Sequence, residues 1–406
     1  MQERFALGLD EALALALDQI RPLDAKRVDL TEAVDCVAAQ DLLARVDSPS
    51  IDASLRDGYA VFSRDLIGAG PTHPVRLTLS GFVAAGEARD AAVVPGTTVR
   101  ILTGAKVPDG ADAVVAEEDT SLMSQEVVFT GPAKAGAYVL AKGAELAAGH
   151  RVSQVGDLLS PGRVGLLAAA GYRYIPVIRP PAVAIAAIGD EVVSPGQPLA
   201  EGKLYASNMA TLSAWCRRYG MPVHTVMARD DSQAIADTLH THVKQTDALI
   251  TSGGAWTGDR DLVSDALQRL GWRPVFRTLR MSPGKGVGFG WLQDKPVFVL
   301  PGGPPANMIG FLQIALPALL KLSGRKQVGL PRALTRLSSD LTGQEGEWTQ
   351  FVFGRLEVDG GDYPLFDPMP RKQRLVAMAD ATALAAIPEG CTIIPAGSLI
   401  SVQLLE

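Results

Sequence analysis

Leu249-Ile250-Thr251-Ser252-Gly253-Gly254 runs an apolar strand into two glycines, and Asp261 follows where the next helix opens. Glycines at a strand end let backbone N–H groups approach a ligand, and a helix N-terminus adds partial positive charge suited to phosphate. The same residues also read as a plain tight turn, so the loop alone decides nothing. A second stretch, Leu300-Pro301-Gly302-Gly303-Pro304-Pro305, again joins an apolar strand to a helix. Two such loops on one parallel sheet point to a small anionic ligand, because ligands collect outside the carboxyl ends of strands.

Outward from these loops the chain alternates. Strands are expected at 182–188, 223–227, 248–251, 287–290 and 297–300, and helices at 209–219, 232–244, 261–270 and 307–322. Strands separated by helices of this length imply crossover connections, a mainly parallel sheet and a three-layer α/β domain over 179–325. Arg179-Pro180-Pro181 is a stiff junction in front of it.

A chain of 406 residues exceeds one core, since single cores stop growing near roughly 250–300 residues. The segment from Leu9 to Leu17 uses strong helix formers and ends before Pro22, and a second helical patch spans 164–170. These define a helical or linker unit of 1–48 with 146–178. From 49 to 145 short β-branched runs such as 75–79 and 98–102 alternate with Gly and Pro, the texture of a β-rich domain. After Arg325 the β texture returns at 351–353, 392–394 and 399–404, giving a C-terminal β domain over 326–406.

Composition excludes several classes. Cys36, Cys216 and Cys391 lie far apart without CxxC spacing, which argues against structural zinc and a disulfide framework and reads as three buried small side chains. The five histidines make no metal-ligand motif; His240 and His242 point to different helix faces. A net charge of −6 lacks the electrostatic footprint of a nucleic-acid binder. No uninterrupted apolar stretch of about 18 residues and no signal-peptide pattern is found, so a cytoplasmic protein acting on a metabolite or another protein, away from membranes, is expected.

Ile188-Gly189-Asp190-Glu191 places two acids at another strand end, and since adjacent side chains diverge, one of the two is expected to face the cleft. With Asp259 and Asp261 nearby, a carboxylate could hold Mg²⁺, which takes one or two carboxylates plus ligand phosphates. Helix capping by Asp190 and Asp261 accounts for the same residues equally well. Pro283-Gly284-Lys285-Gly286 offers one lysine to an oxyanion. Asp57-Gly58-Tyr59-Ala60 and Thr103-Gly104-Ala105, taken alone, are hairpin turns.

In this order these stretches, with Ser54–Ala60, Ile101–Ala105, Pro108–Val115, Ile188–Val192, Ser207-Asn208 and Gly258–Asp261, resemble the MoeA family, the molybdopterin molybdenumtransferases related to the gephyrin E domain. The match spans nearly the whole chain. It implies an elongated α/β multidomain homodimer: a helical N-terminal segment, a β-rich lid domain, a three-layer α/β molybdopterin-binding domain and a C-terminal β-barrel-like domain. The implied reaction takes adenylylated molybdopterin, cleaves the adenylate with a divalent cation such as Mg²⁺, and passes molybdate to the dithiolene. Molybdopterin adenylyltransferase and apo-molybdoenzymes are the partners that chemistry implies.

Carried over, Ser252, Gly253, Gly254, Asp259, Pro301, Gly302 and Gly303 line the pterin-phosphate site. Asp190, Glu191 and Asp261 hold the cation, and Asp57 and Thr103 reach the cleft from the other subunit's lid. The chain departs from the family pattern where Ser282 and Gly286 flank Lys285, where Gly303-Pro304-Pro305-Ala306 replaces an Asn-Pro-Val-Ser run, and where Phe353 replaces an arginine. Arg371 and Arg374 are the residues that could restore oxyanion-binding charge. A paralogue that keeps the pterin but serves as carrier, chaperone or scaffold is the alternative reading.

Overall fold

Two apolar runs dictate the centre of the molecule. Every residue of the strands Val183–Ile188 and Ala248–Ser252 is buried, the pattern of a parallel sheet covered on both faces. The computed structural model, which describes residues 6–86, 91–254, 261–344, 346–358, 360–370 and 374–406, builds a six-stranded sheet around them. Its order is Val223–Ala228, Val183–Ile188, Ala248–Ser252, Lys295–Leu300, Gly288–Leu292, Arg273–Phe276. The first four are parallel, and the last two add an antiparallel edge.

Alternate residues divide the core. Val183, Ile185, Ala248, Ile250, Phe298 and Leu300 pack beneath the helices Ser207–Arg218 and 304–322. Ala184, Ala186, Leu249, Val297 and Val299 pack beneath Ser232–Val243 and Leu262–Arg269. This is the expected three-layer arrangement. The helix 304–322 opens on Pro304 and Pro305, residues whose fixed φ and absent N–H suit a first turn, and passes through one π-helical turn at Phe311–Ala315. It is apolar enough to span a membrane, but 83% of its apolar window is buried within the protein, so its hydrophobicity is met by the core.

The first helix, Leu9–Gln19, corrects an expectation. Ala12, Ala16 and Ile20 are fully buried in the same cluster as Leu316 and Leu319, so the helix belongs to the α/β core and not beside residues 146–178. Residues 26–46 and 146–178 have a core of their own, with Leu42, Leu159, Leu167, Ile175 and Val177. That unit is mixed: a sheet of Lys26–Asp29, Tyr174–Ile178 and Val37–Ala38, with Pro161–Ala169 as its α-helix. Within 49–145 a six-stranded sheet runs Ala113–Ala116, Gly58–Val61, Thr97–Ile101, Val75–Val83, Glu126–Phe129, Thr120–Met123.

The C-terminal unit closes on itself. Thr349–Glu357, Leu365–Pro368, Arg332–Leu337, Leu399–Leu404 and Ala383–Ile387 pair in turn, and the last pairs with the first. Closure removes the unpaired edges of an open sheet. The barrel is pinned to the helix 304–322 by reciprocal amides: Gln313 Nε2 donates to Gln403 Oε1 at 2.8 Å, and Gln403 Nε2 to Gln313 Oε1 at 3.1 Å. Cys36 and Cys216 are buried as expected, and burial pushes the Cys216 thiol up to about 12. Cys391 is not: it is half-buried, in a turn, with its Sγ donating to Ile393 O at 3.2 Å.

Because Ile20 is fully buried in the α/β core, Ile20→Ala is expected to cost about 2–5 kcal/mol. Hydrogen exchange should accelerate in the helix 304–322 and stay unchanged in Pro161–Ala169; the reverse would assign the first helix to the other unit.

Candidate functional site

The Ser252 loop is shaped by sterics. Gly253 has φ +86° and Gly254 φ +65°, a region L side chains rarely adopt. A Cβ on Gly253 would lie 2.5 Å from Ile188 O, and one on Gly254 would lie 2.6 Å from Ile188 Cγ2 and 2.8 Å from Val263 Cγ2. The Gly253 N–H is not available to a ligand, however, since it donates to Leu300 O at 3.1 Å. Glycine is required there for the close approach to Ile188, not for an open amide.

Two asparagines join this loop to the second one. Asn307, 1% exposed, donates from Nδ2 to Ser252 Oγ at 2.9 Å and to Pro301 O at 2.8 Å. Asn208 Nδ2 donates to Gly302 O at 2.8 Å and to Ser252 Oγ at 3.3 Å. The Ser252 hydroxyl therefore accepts twice, which leaves its own proton to donate. The loops touch: a Cβ on Gly302 would lie 3.6 Å from Gly253 Cα.

Beside them opens a cleft of about 400 Å³, walled by Glu191, Leu204, Tyr205, Ser252, Gly302 and Leu375. Of the two adjacent acids, Glu191 lines it. Asp190 turns away, where its Oδ1 accepts from Asp230 N–H and Asp230 Oδ2 accepts from Asp190 N–H, each at 3.4 Å. Asp261 caps the helix Leu262–Arg269: its Oδ1 accepts from Ser264 N–H at 3.0 Å, and its Oδ2 accepts from the Ser264 hydroxyl at 2.6 Å and from Arg277 Nη2. The three carboxylates expected to share a cation thus have three different surroundings. Among the described residues no group of three His, Cys, Asp or Glu is placed to hold a metal ion. Asp259 lies outside the described residues.

A second cleft, of about 240 Å³, lies between the α/β unit and the barrel, with Ser282, Pro305, Gln350, Phe353, Met369 and Arg374 on its walls. Arg374 begins the helix Arg374–Asp380, and its Nη2 would lie 2.9 Å from a Cβ on Gly303, so the guanidinium rests on the second glycine loop. It lines the same cleft as Phe353. Arg371 lies outside the described residues. Lys285 is not on either cleft wall; its Nζ sits 5.5 Å from the centre of the Trp348 ring, a cation–π contact with the barrel.

Asp57 and Thr103 form a pair away from both clefts. Asp57 Oδ1 accepts from the Thr103 N–H and hydroxyl, each at 2.7 Å, and these bonds, the N–H first, hold its carboxyl below the usual aspartate value. Asn307, Arg277 and Leu375 were not singled out by motif. The signal for Asn307 is an amide at the start of a largely apolar helix, Met308 to Leu322, where only Gln313 and Lys321 are otherwise polar, a position that demands partners.

Comparison with known proteins agrees with the sequence resemblance. Residues 7–171 match the MoeA N-terminal region (domain I and II), and residues 184–321 match a probable molybdopterin binding domain. The chain is 33% identical over 401 residues to molybdopterin molybdenumtransferase 2 of Mycobacterium tuberculosis, covering 97% of this chain and 98% of that one. It is 30% identical to molybdopterin molybdenumtransferase of a Nostoc species, over 92% of this chain and 87% of that one. A solved MoeA protein of Pyrococcus horikoshii superposes with a TM-score of 0.83 at 28% identity, over 99% of this chain and 100% of that one.

Asn307→Leu should cost about 1–3 kcal/mol, the penalty for stranding buried acceptors, read as a shift in the denaturant midpoint. Unchanged stability would remove the asparagine from its joining role. The Asp57 bridge contributes stability that is fully present above the ordinary aspartate value near pH 4 and lost as pH falls through the lower folded value. Thr103→Val should move the Asp57 titration, followed by NMR, up toward that ordinary value; no movement would contradict the bridge.

Proposed function

The chain belongs to the MoeA family of molybdopterin molybdenumtransferases, and from that membership we propose that it inserts molybdate into adenylylated molybdopterin with release of AMP. The observation that carries the reading is that two clefts meet on one loop: Gly302 and Pro304 line the first, and Pro305 lines the second. The helix Arg374–Asp380 flanks both, with Leu375 in the first and Arg374 in the second.

The first cleft takes the pterin and its phosphate. Ser252 donates its hydroxyl proton to a phosphate oxygen from a position fixed by Asn208 and Asn307, so no reorganisation is needed on binding. The second cleft takes molybdate, a tetrahedral dianion that needs cationic donors. Arg374 supplies a planar, permanently charged fork there, in the cleft where Phe353 offers no charge. A Mg²⁺ would be held chiefly by the substrate's own phosphate oxygens, because Asp261 is bonded to Arg277 and Asp190 faces Asp230. When bound, it offsets charge on the phosphoanhydride. Asp57 and Thr103, which line neither cleft of their own chain, are assigned to the cleft of a second copy in a homodimer. The carrier alternative is not favoured, since the full-length relatives are named as transferases.

Incubation with adenylylated molybdopterin, Mg²⁺ and molybdate should release AMP and load the pterin with molybdenum. Retention of the pterin without AMP release would overturn the proposal. Arg374→Ala should keep the pterin and lower molybdenum incorporation at limiting molybdate by roughly 10-fold or more, the worth of one charge-assisted bond. Unchanged incorporation would take the oxyanion away from Arg374.

A further inference from the structure

Arg277 brings a positive charge to the ligand-facing edge of the central sheet. Strand Arg273–Phe276 is antiparallel to Gly288–Leu292, which is antiparallel to Lys295–Leu300. It therefore runs in the direction of Lys295–Leu300, and its carboxyl end lies on the same edge as the Ser252 and Gly302 loops. Arg277 is the next residue. There its Nη2 donates to Asp261 Oδ2 and to Ser264 Oγ, at the start of the helix Leu262–Arg269. That helix start leans on the Ser252 loop, since a Cβ on Gly254 would lie 2.8 Å from Val263 Cγ2. The ion pair is partly buried, with the Asp261 side chain 17% and the Arg277 side chain 43% exposed, and Ser264 is buried.

Asp261 is one of the carboxylates that the family resemblance assigns to a divalent cation, and with its present partners it does not fit one. Two of its three bonds come from Ser264 and make the helix cap: Oδ1 accepts from the N–H at 3.0 Å and Oδ2 from the hydroxyl at 2.6 Å. The third partner is already a cation, the guanidinium. A metal ion could replace only that partner without undoing the cap. We infer that Arg277 is the resident counter-ion of Asp261 and sets how much divalent cation the protein needs, because the ion gains this carboxylate only by displacing the guanidinium. The inference rests on the cation-dependent reaction proposed above. A partly buried ion pair is screened less than a surface one, so water and salt only partly weaken the attraction that opposes displacement. Without the positive charge, the carboxylate keeps its two bonds from Ser264 but has no counter-charge, and an oxygen ligand in that state attracts a hard cation more strongly. A purely structural clamp makes a different demand: losing Arg277 would loosen the helix start and leave cation affinity unchanged or lower.

The test follows Mn²⁺ binding to the full-length protein and its variants by paramagnetic resonance in the presence of AMP. Arg277→Met, which removes the charge and keeps an extended side chain, should bind Mn²⁺ roughly 10-fold or more tightly, while Arg277→Lys, which keeps the charge, should stay within about 3-fold of the unaltered protein. Adding Asp261→Asn, whose side chain still caps a helix, to Arg277→Met should abolish the gain. A gain that survives Asp261→Asn would come from net charge alone and overturn the inference, as would an Arg277→Met affinity equal to or below that of the unaltered protein. Should Arg277→Met not fold, the unaltered protein decides: saturating Mg²⁺ with AMP should speed the solvent exchange of the Arg277 side-chain N–H signals, followed by NMR, and signals that stay slow would overturn the inference. If no variant binds Mn²⁺ while the unaltered protein still releases AMP from adenylylated molybdopterin, the inference fails and the proposed function stands; if AMP release is absent as well, both fail.

Discussion

Two side-chain amides converge on one hydroxyl, and the geometry of both clefts follows from that. Asn208 comes from the helix Ser207–Arg218, Asn307 from the helix 304–322, and Ser252 from the end of a central strand. Each amide also holds a carbonyl of the second glycine loop, at Gly302 and Pro301 respectively. Without these bonds the Gly253 N–H bond to Leu300 O would be left to tie the loops, and a buried amide such as Asn307 would be left with its desolvation cost uncompensated. The bonds work only because Gly253 and Gly254 admit the close approach to Ile188 that brings the loops into contact.

The same arrangement divides labour between units of the chain. The α/β sheet supplies donors at its strand ends, while the barrel supplies Arg374 and Leu375 through one short helix lying on the loop. The reciprocal Gln313–Gln403 amides and the Arg280–Glu389 ion pair at 3.0 Å hold the barrel against the α/β core, and so fix where that helix lies. Substitutions at the barrel interface therefore act on the second cleft through Arg374, at a distance from any ligand.

Much of this was legible in the sequence, and the exceptions have physical causes. The buried strands and their alternation with helices are plain because parallel strands read as continuous apolar runs. Strand Arg273–Phe276 is hidden by Pro274, which marks a run as an edge strand or no strand at all, and an antiparallel edge is where it lies. The site of the first helix could not be read from its own pattern, because amphipathicity states which face is buried and not what covers it. Asp261 was open between cap and cation ligand. The residue that decides it, Arg277, lies in the turn after the Arg273–Phe276 strand, and no local spacing announces that contact. The Gly253 amide shows the converse: the motif correctly demanded glycine, yet for a steric reason and not as a ligand donor.

Hydrogen exchange with and without molybdopterin tests the central claim most directly, since it reports where the ligand lies without relying on turnover. Protection is predicted at 248–254, 300–308 and the first turns of Ser207–Arg218, the segments joined through Ser252. Protection confined to other parts of the chain, with these segments unchanged, would contradict the account.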